Sequence, residues 1–552
     1  MSGASKPLRS DAIKTGPDRA PARAMLRATG LDDAALARPL VAVVHTWSNV
    51  SPCNLNLRDL AAAAAEGIRA AGGTPVEFNT IAVTDGIAMG SSGMRASLVS
   101  REVITDSIEL VVEGHCLDAA LILCGCDKTI PAAAMALARM NLPGLVLYGG
   151  SIAHGVLGAR HLTVQDVFEA VGAHGAGKLD DAGLHAVETH ACPGAGACGG
   201  QFTANTMAMV LTALGLSLLG TNDVPAADPA KLDAARRCGA QLMQLLAHGP
   251  LPREVLTAAA FRNAARMVAA TAGSTNAVLH MLAIAHEAEV PFTLEDFEEA
   301  SRSTPVIADL KPAGRYTAVE LAAAGGTTTV AQALHVAGML EDAPTVSGRH
   351  LFAELAAAPA APAGQNVVHP VSAPLKARGG FTILYGNLAP EGCILKLAGE
   401  GRTHFTGPAR VFENEIEAFA AVQAGAIQRR RRGGDPQRRP GRWPRHARDA
   451  GGDRGPGRAW SGRLGGADHR WPFQRRHAWR HGRPHRPGSR ARRPHCLAAR
   501  RRRGADRRRR AAYRRPRGSR ITRAAWVPRD PPVKRGALAK YARMVGSAAR
   551  GA

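Results

Sequence analysis

Apolar and polar positions along the first 350 residues fall into two alternating textures. Ala- and Leu-rich runs with helical spacing (Leu57 to Ala71, Thr203 to Leu219, Glu254 to Ala270) are separated by short, unbroken apolar runs such as Ala119 to Leu123 and Gly144 to Tyr148. The short runs fit strands buried on both faces, as in a parallel sheet covered by helices. Their alternation with helices over residues 34–356 predicts an α/β domain, an α/β/α arrangement with a largely parallel sheet, preceded by an N-terminal arm at 1–33. Ligands of such sheets gather at the carboxyl ends of the strands. A Pro/Ala-rich stretch then forms a linker at 357–366. Beyond it the text turns Gly-rich, with strand-like pieces FTILYGNL, CILKLAG and HFTGPARVF. A second, smaller, β-rich and barrel-like domain is expected over 367–552.

Charge changes this picture in one place. The 552 residues carry a formal +25, yet residues 428–525 alone hold 34 Arg, no Lys, five Asp and no Glu, a charge of +29, so the rest of the chain carries −4. A mildly acidic remainder suits a metabolic enzyme and offers little to a phosphate backbone, so nucleic acid is not an expected partner. The first 25 residues contain acidic side chains and no apolar core of a leader sequence. The longest apolar stretch, about Thr206 to Leu219, falls short of the roughly 18–20 residues that span a bilayer. A cytoplasmic protein with no membrane segment is expected. Nine cysteines, neither dense nor evenly framed, do not resemble a secreted disulfide scaffold and favour reduced thiols.

Three of those cysteines keep unusual company. Cys53 lies in SPCNLNLR, Cys126 directly follows a buried-strand pattern in LILCGCDKT, and Cys198 sits in a glycine-rich turn, GAGACGGQFTANTM, that opens a helix. Gly and Pro flanks let a backbone approach an inorganic group closely. None forms a CxxC pair, so spacing alone leaves core packing open for each, and Cys116, Cys124, Cys192, Cys238 and Cys393 take that reading. Cys126-Asp127-Lys128 places a soft thiol, a hard carboxylate and an amine at one strand end, where two different metals could meet. A surface Asp/Lys pair is the plainer alternative.

The segments SPCNLNLRDLA, NTIAVTDGIAMGSSGMRASLVSREVITDSIE, CGCDKTIPAAAMALARMNLPG, GACGGQFTANTMAMVLTALGLSL, AGSTNAVLHMLAIA and GNLAPEGCILKLAG, in that order, closely resemble the dihydroxy-acid/6-phosphogluconate dehydratase family, and GACGGQFTANTM its dihydroxy-acid branch. The resemblance covers roughly residues 9–427. It implies that Cys53, Cys126 and Cys198 hold a [2Fe-2S] cluster with one iron open to act as a Lewis acid. It further implies Mg2+ at Asp85, Asp127 and a carbamylated Lys128, a modification that needs a neutral amine, which burial and the nearby metal would favour. The implied reaction removes water from a 2,3-dihydroxy-3-methyl acid to give a 2-keto acid in valine and isoleucine biosynthesis, with a small-molecule substrate and a homodimer. A sugar-acid dehydratase of the same family is the alternative.

One departure is large. The family's serine base, in a TDGRFSG-like motif, and a glutamate metal ligand, in a GGPGMRE-like motif, are both missing, and the arginine-rich block stands in their place. Back-translated and read from the second base of each codon, DPQRRPGRWPRHARD (Asp435 to Asp449) permits IRNEGPAGGPGMREM, and HRWPFQRRHAWRH (His469 to His481), continued in that frame, permits TDGRFSGATHGVM. A frameshift near codon 428, compensated near 520–530, accounts for both. The serine codon would straddle Gln474 and Arg475, the glutamate codon Arg448 and Asp449, and no catalytic base is intact. The block is then expected to be disordered and the chain, as translated, inactive. An arginine-rich nucleic-acid-binding insert, with Trp443, Trp471, Trp479 and Tyr513 between its cations, is the rival reading.

Overall fold

The computed structural model describes residues 7–397, most of 406–427 (all but 408, 413, 414 and 425), the residue pairs 499–500 and 510–511, and 533–552. The catalytic-codon positions Gln474 and Arg475, and the expectation of disorder for most of 428–525, lie outside the described residues.

Four parallel strands form the centre: β1 (Leu40–His45), β2 (Thr74–Asn79), β3 (Ala119–Cys124) and β4 (Gly144–Tyr148), in the order β2-β1-β3-β4. The unbroken apolar runs of β1, β3 and β4 are buried along their whole length, whereas β2 at the edge alternates. Helix Leu57–Ala70 returns the chain from β1 to β2, and helix Thr129–Met140 from β3 to β4. Because the chain goes from β1 to one side and comes back to β3 on the other, the sheet order reverses between β1 and β3. A crevice opens at such a reversal, outside the carboxyl ends of the two strands.

Two expected helices differ from the apolar runs that predict them, one ending early and one broken near its start. The run from Thr203 stops at Ala213, because Gly215 turns the chain at φ +77° and delivers the Leu216 carbonyl to the Val146 amide at 2.9 Å. The run from Glu254 is split: the Thr257 side chain accepts from the Ala260 amide and starts a new helix, Ala258–Ala270. Apolar periodicity continues across both breaks, but local hydrogen bonding decides the boundaries.

A short hairpin, β5 (Gly155–Leu157) with β6 (Arg160–Leu162), follows β4. Farther on, β7 (Phe381–Gly386) pairs antiparallel with β8 (Cys393–Lys396), and its far side pairs with Arg510–Ala511, itself beside Ala499–Arg500. The described part of HFTGPARVF contains no strand. β7 is fixed to helix Leu294–Ser303, where Glu298 accepts from Thr382 Oγ1 at 2.9 Å and from the Ile383 amide at 2.6 Å. Rings of Phe261, Phe292, Phe297 and Phe381 stack edge to face or tilted from the core to this sheet. Among the described residues no helix is long and apolar enough to cross a membrane.

Candidate metal centre and active site

The reversal between β1 and β3 is where the chemistry converges. After β1 the chain makes a single turn of 3-10 helix, Pro52–Asn54, locked by Asn54 Nδ2 donating to Thr46 Oγ1 (2.7 Å) and Ser51 Oγ donating to Asn54 Oδ1 (2.8 Å). This turn carries Cys53. After β3, Thr129 opens a helix, and its Oγ1 accepts from the amides of Gly125 (3.2 Å) and Cys126 (2.9 Å), which sets Cys126 at the strand end. The third segment comes from a distance: Gly196 donates its amide to the Pro52 carbonyl (2.8 Å), and Ala197 exchanges bonds with Gly150 (3.0 Å) and Ile152 (2.6 Å). Cys198 follows at once.

The three thiols thus meet. Cys53 is in hydrogen-bond contact with both Cys126 and Cys198, and those contacts, with burial behind them, push its thiol well above the ordinary range. All three are free of disulfides. Three thiols gathered at one point become good ligands once a cation supplies the charge that balances their thiolates. The donor set fits a soft, thiophilic metal group.

Beside the thiols lies a harder set. Lys128 Nζ is 2.6 Å from Asp85 Oδ2 and 3.7 Å from Asp127 Oδ2, all three side chains buried. Ser97 donates its hydroxyl to Asp85 Oδ1, and Thr203 hydrogen-bonds Asp127. Burial pushes the Asp127 carboxyl up to about 6, and the neighbouring Asp85 adds to it. Burial alone would lower the Lys128 amine, but the Asp85 and Asp127 carboxylates outweigh it and the net direction is upward. Burial thus acts in the expected direction, toward the neutral amine, and without a metal the two carboxylates more than offset it. Two buried carboxylates with one lysine fit a hard divalent cation, which would take over the ammonium's role.

Cys53, Cys126, Cys198, Asp85, Asp127 and Lys128 therefore come together in one crevice. Of the cysteines expected as packing, Cys124 and Cys238 are fully buried, Cys192 is exposed, and Cys393 is instead disulfide-bonded. Several contributors escape the sequence reading. Tyr148, at the end of β4, donates its hydroxyl to Asn205 Oδ1 (2.7 Å), while Asn205 Nδ2 donates to the carbonyls of Cys198 and Gly200, the latter at 2.7 Å. His280, kept neutral by burial and then by the nearby Lys128 and Arg101 cations, lines a cleft against Lys128 with Met94, Ser97, Leu98 and Asn276. Part of their signal is present in the sequence: Asn205 is an amide in a helix whose other residues are aliphatic, Met or Thr, and Ser97 lies four residues before Arg101 on one helix face.

Comparison with known proteins agrees with this geometry. The family model described as dihydroxy-acid/6-phosphogluconate dehydratase N-terminal matches residues 38–354, and its C-terminal counterpart matches 366–431. A dihydroxy-acid dehydratase of Koribacter versatilis (strain Ellin345) is 55% identical over 421 residues, 76% of this chain and 73% of the relative. Those of Roseiflexus sp. (strain RS-1) and of a strain of Thermus thermophilus are each 53% identical, over 76% of this chain and 75% and 76% of the relatives.

Proposed function

Since the chain belongs to the dihydroxy-acid/6-phosphogluconate dehydratase family, whose members are hydro-lyases, we propose that it removes water from 2,3-dihydroxy-3-methyl carboxylic acids, giving 2-keto acids for valine and isoleucine synthesis. The observation that carries the reading is the meeting of three free thiols, from three separate segments, beside a buried Asp–Lys–Asp set. Relatives named dihydroxy-acid dehydratase favour this substrate over a sugar acid.

In this reading Cys53, Cys126 and Cys198 hold a [2Fe-2S] cluster, and Asp85, Asp127 and a carbamylated Lys128 hold Mg2+. When bound, the two groups supply Lewis acidity toward the departing hydroxyl and toward the substrate's carboxylate and C2 oxygen. The reaction balances without redox change: a base takes the C2 proton, the C3 hydroxyl leaves and is protonated to water, and the enol tautomerises to the ketone. Ser97 and Thr203 orient the two carboxylates through their hydroxyls. Met94 and Leu98 wall the cleft against water, and His280 offers a neutral imidazole at its edge. The Tyr148–Asn205 pair holds the Cys198 carbonyl in place.

The base itself is the missing part. We read residues 428–525 as translated out of frame, with the base serine lost at the codons of Gln474 and Arg475; the family match ending at 431 and the all-arginine charge of the block support this. The protein is read as a cytoplasmic homodimer. The test compares turnover of 2,3-dihydroxy-3-methylbutanoate by this chain and by the chain with its frame restored. Activity only in the restored chain is expected; activity in the unaltered chain would remove the frame reading, and none in either the substrate assignment.

A further inference from the structure

Outside the thiol and Asp–Lys–Asp sets, two imidazoles and a carboxylate converge. His154 precedes β5, His161 lies within β6, and Glu320 belongs to helix Ala318–Ala323. One ligand atom from each lies within 4.8 Å of the others. We propose that His154, His161 and Glu320 form a second metal site, selective for a borderline divalent ion such as Zn2+, which clamps the hairpin to the helix start.

Four observations carry it. The imidazoles of His154 and His161 stack at 3.7 Å with an interplanar angle of 18°, a contact that two protonated rings would not keep. Nδ1 of His154 is buried with no hydrogen-bond partner among the described residues, a lone pair or N–H left without use. Glu320 is held from behind, its Oε2 accepting from the Thr317 amide (2.7 Å) and hydroxyl (2.8 Å), while Oε1 faces His161 Nδ1 at 3.6 Å, too far for a hydrogen bond. Finally, two imidazoles and one carboxylate make a three-ligand set of the type zinc accepts, with the remaining position open to water. Zinc–nitrogen bonds of about 2.0–2.1 Å require the donors to close in, a movement open to His161, whose side chain is half exposed.

The clamp would bear on the thiol centre through backbone bonds to the Cys198 segment. Ala318 donates its amide to the Gly199 carbonyl at 2.8 Å, and Ile152, two residues before His154, is bonded to Ala197. Both ends of the proposed site therefore grip the segment that carries Cys198.

The experiment is equilibrium dialysis of the full chain against Zn2+, with His161→Ala, Glu320→Gln and a Cys53/Cys126/Cys198 triple serine chain for comparison. The triple variant separates this site from the thiols, which also take zinc. The unaltered and triple-serine chains should each retain one zinc that His161→Ala lacks, and Glu320→Gln should hold it about tenfold more weakly or worse. Equal zinc content in the unaltered chain and His161→Ala would overturn the proposal. As a check on folding, the triple-serine chain with and without His161→Ala should share one thermal midpoint in the absence of zinc, and in that thiol-free background zinc should raise the midpoint only where His161 is present; an equal rise without His161 would also overturn it.

Discussion

Gly125 stands so close to the Cys53 carbonyl that a Cβ at Gly125 would lie 1.8 Å from that oxygen. The backbones leaving β1 and β3 touch here, and only the absent side chain lets Cys53 and Cys126 share one centre. Gly125→Ala should therefore cost about 3 kcal/mol or more, at the upper end for an overpacked interior, and should abolish metal retention. Gly114→Ala, at a helix position with nothing within 4 Å, should be neutral or stabilising by about 0.5–1 kcal/mol. Urea unfolding of both variants checks the contrast.

Thiol identity should matter by position and not by burial. In the chain with its frame restored, serine at Cys53, Cys126 or Cys198 should eliminate the visible absorbance of an iron–sulfur centre. Serine at Cys124 or Cys238, both buried packing residues, should leave it. Iron and sulfide analysis decides, and a colourless Cys124→Ser protein of normal stability would contradict the assignment.

The Asp127 carboxyl, pushed up to about 6 chiefly by burial and then by Asp85, gives a signed pH dependence. An acid that holds its proton more tightly folded than unfolded contributes stability that is full below the ordinary aspartate range (about 4) and is lost as pH rises through about 6. Metal-free protein should therefore melt higher at pH 5 than at pH 7 by an increment that Asp127→Asn removes. Calorimetry in chelator checks this. The Mg2+ proposed for this site would compete with the proton for the same oxygens, so its affinity should fall as pH drops below about 6.

Tyr148→Phe should cost about 1–3 kcal/mol, because it leaves Asn205 Oδ1 buried and unpaired. Asn205 also fixes the carbonyls of Cys198 and Gly200, so the same variant should lose its metal faster to chelator while keeping the other two thiols in place.

How far the sequence speaks of all this differs by residue. Cys126, Asp127 and Lys128 are legible as a group, since a buried-strand pattern ends on them and strand ends are where ligands gather. That Cys53 and Cys198 join them is not legible from spacing: the meeting depends on the reversal of strand order and on the bond from Gly196 to Pro52, neither of which leaves a mark on local pattern. Family likeness supplies what periodicity does not. The helix boundaries at Ala213 and Thr257 are hidden because capping bonds override a continuing apolar period. His154, His161 and Glu320 are invisible for a related reason, being drawn together by a hairpin and a remote helix.

The bond from Gly196 to Pro52 also bears on how such a protein matures. Each pair of thiols closes a long stretch of chain, so the complete triad exists only after the sheet has formed and the late turn has docked on it. Until that docking the chain presents at most two of the three sulfurs together. Loading of the cofactor proposed for the triad would thereby wait for folding, and a chain that stalls before the last turn would be left without the ligand that stabilises it.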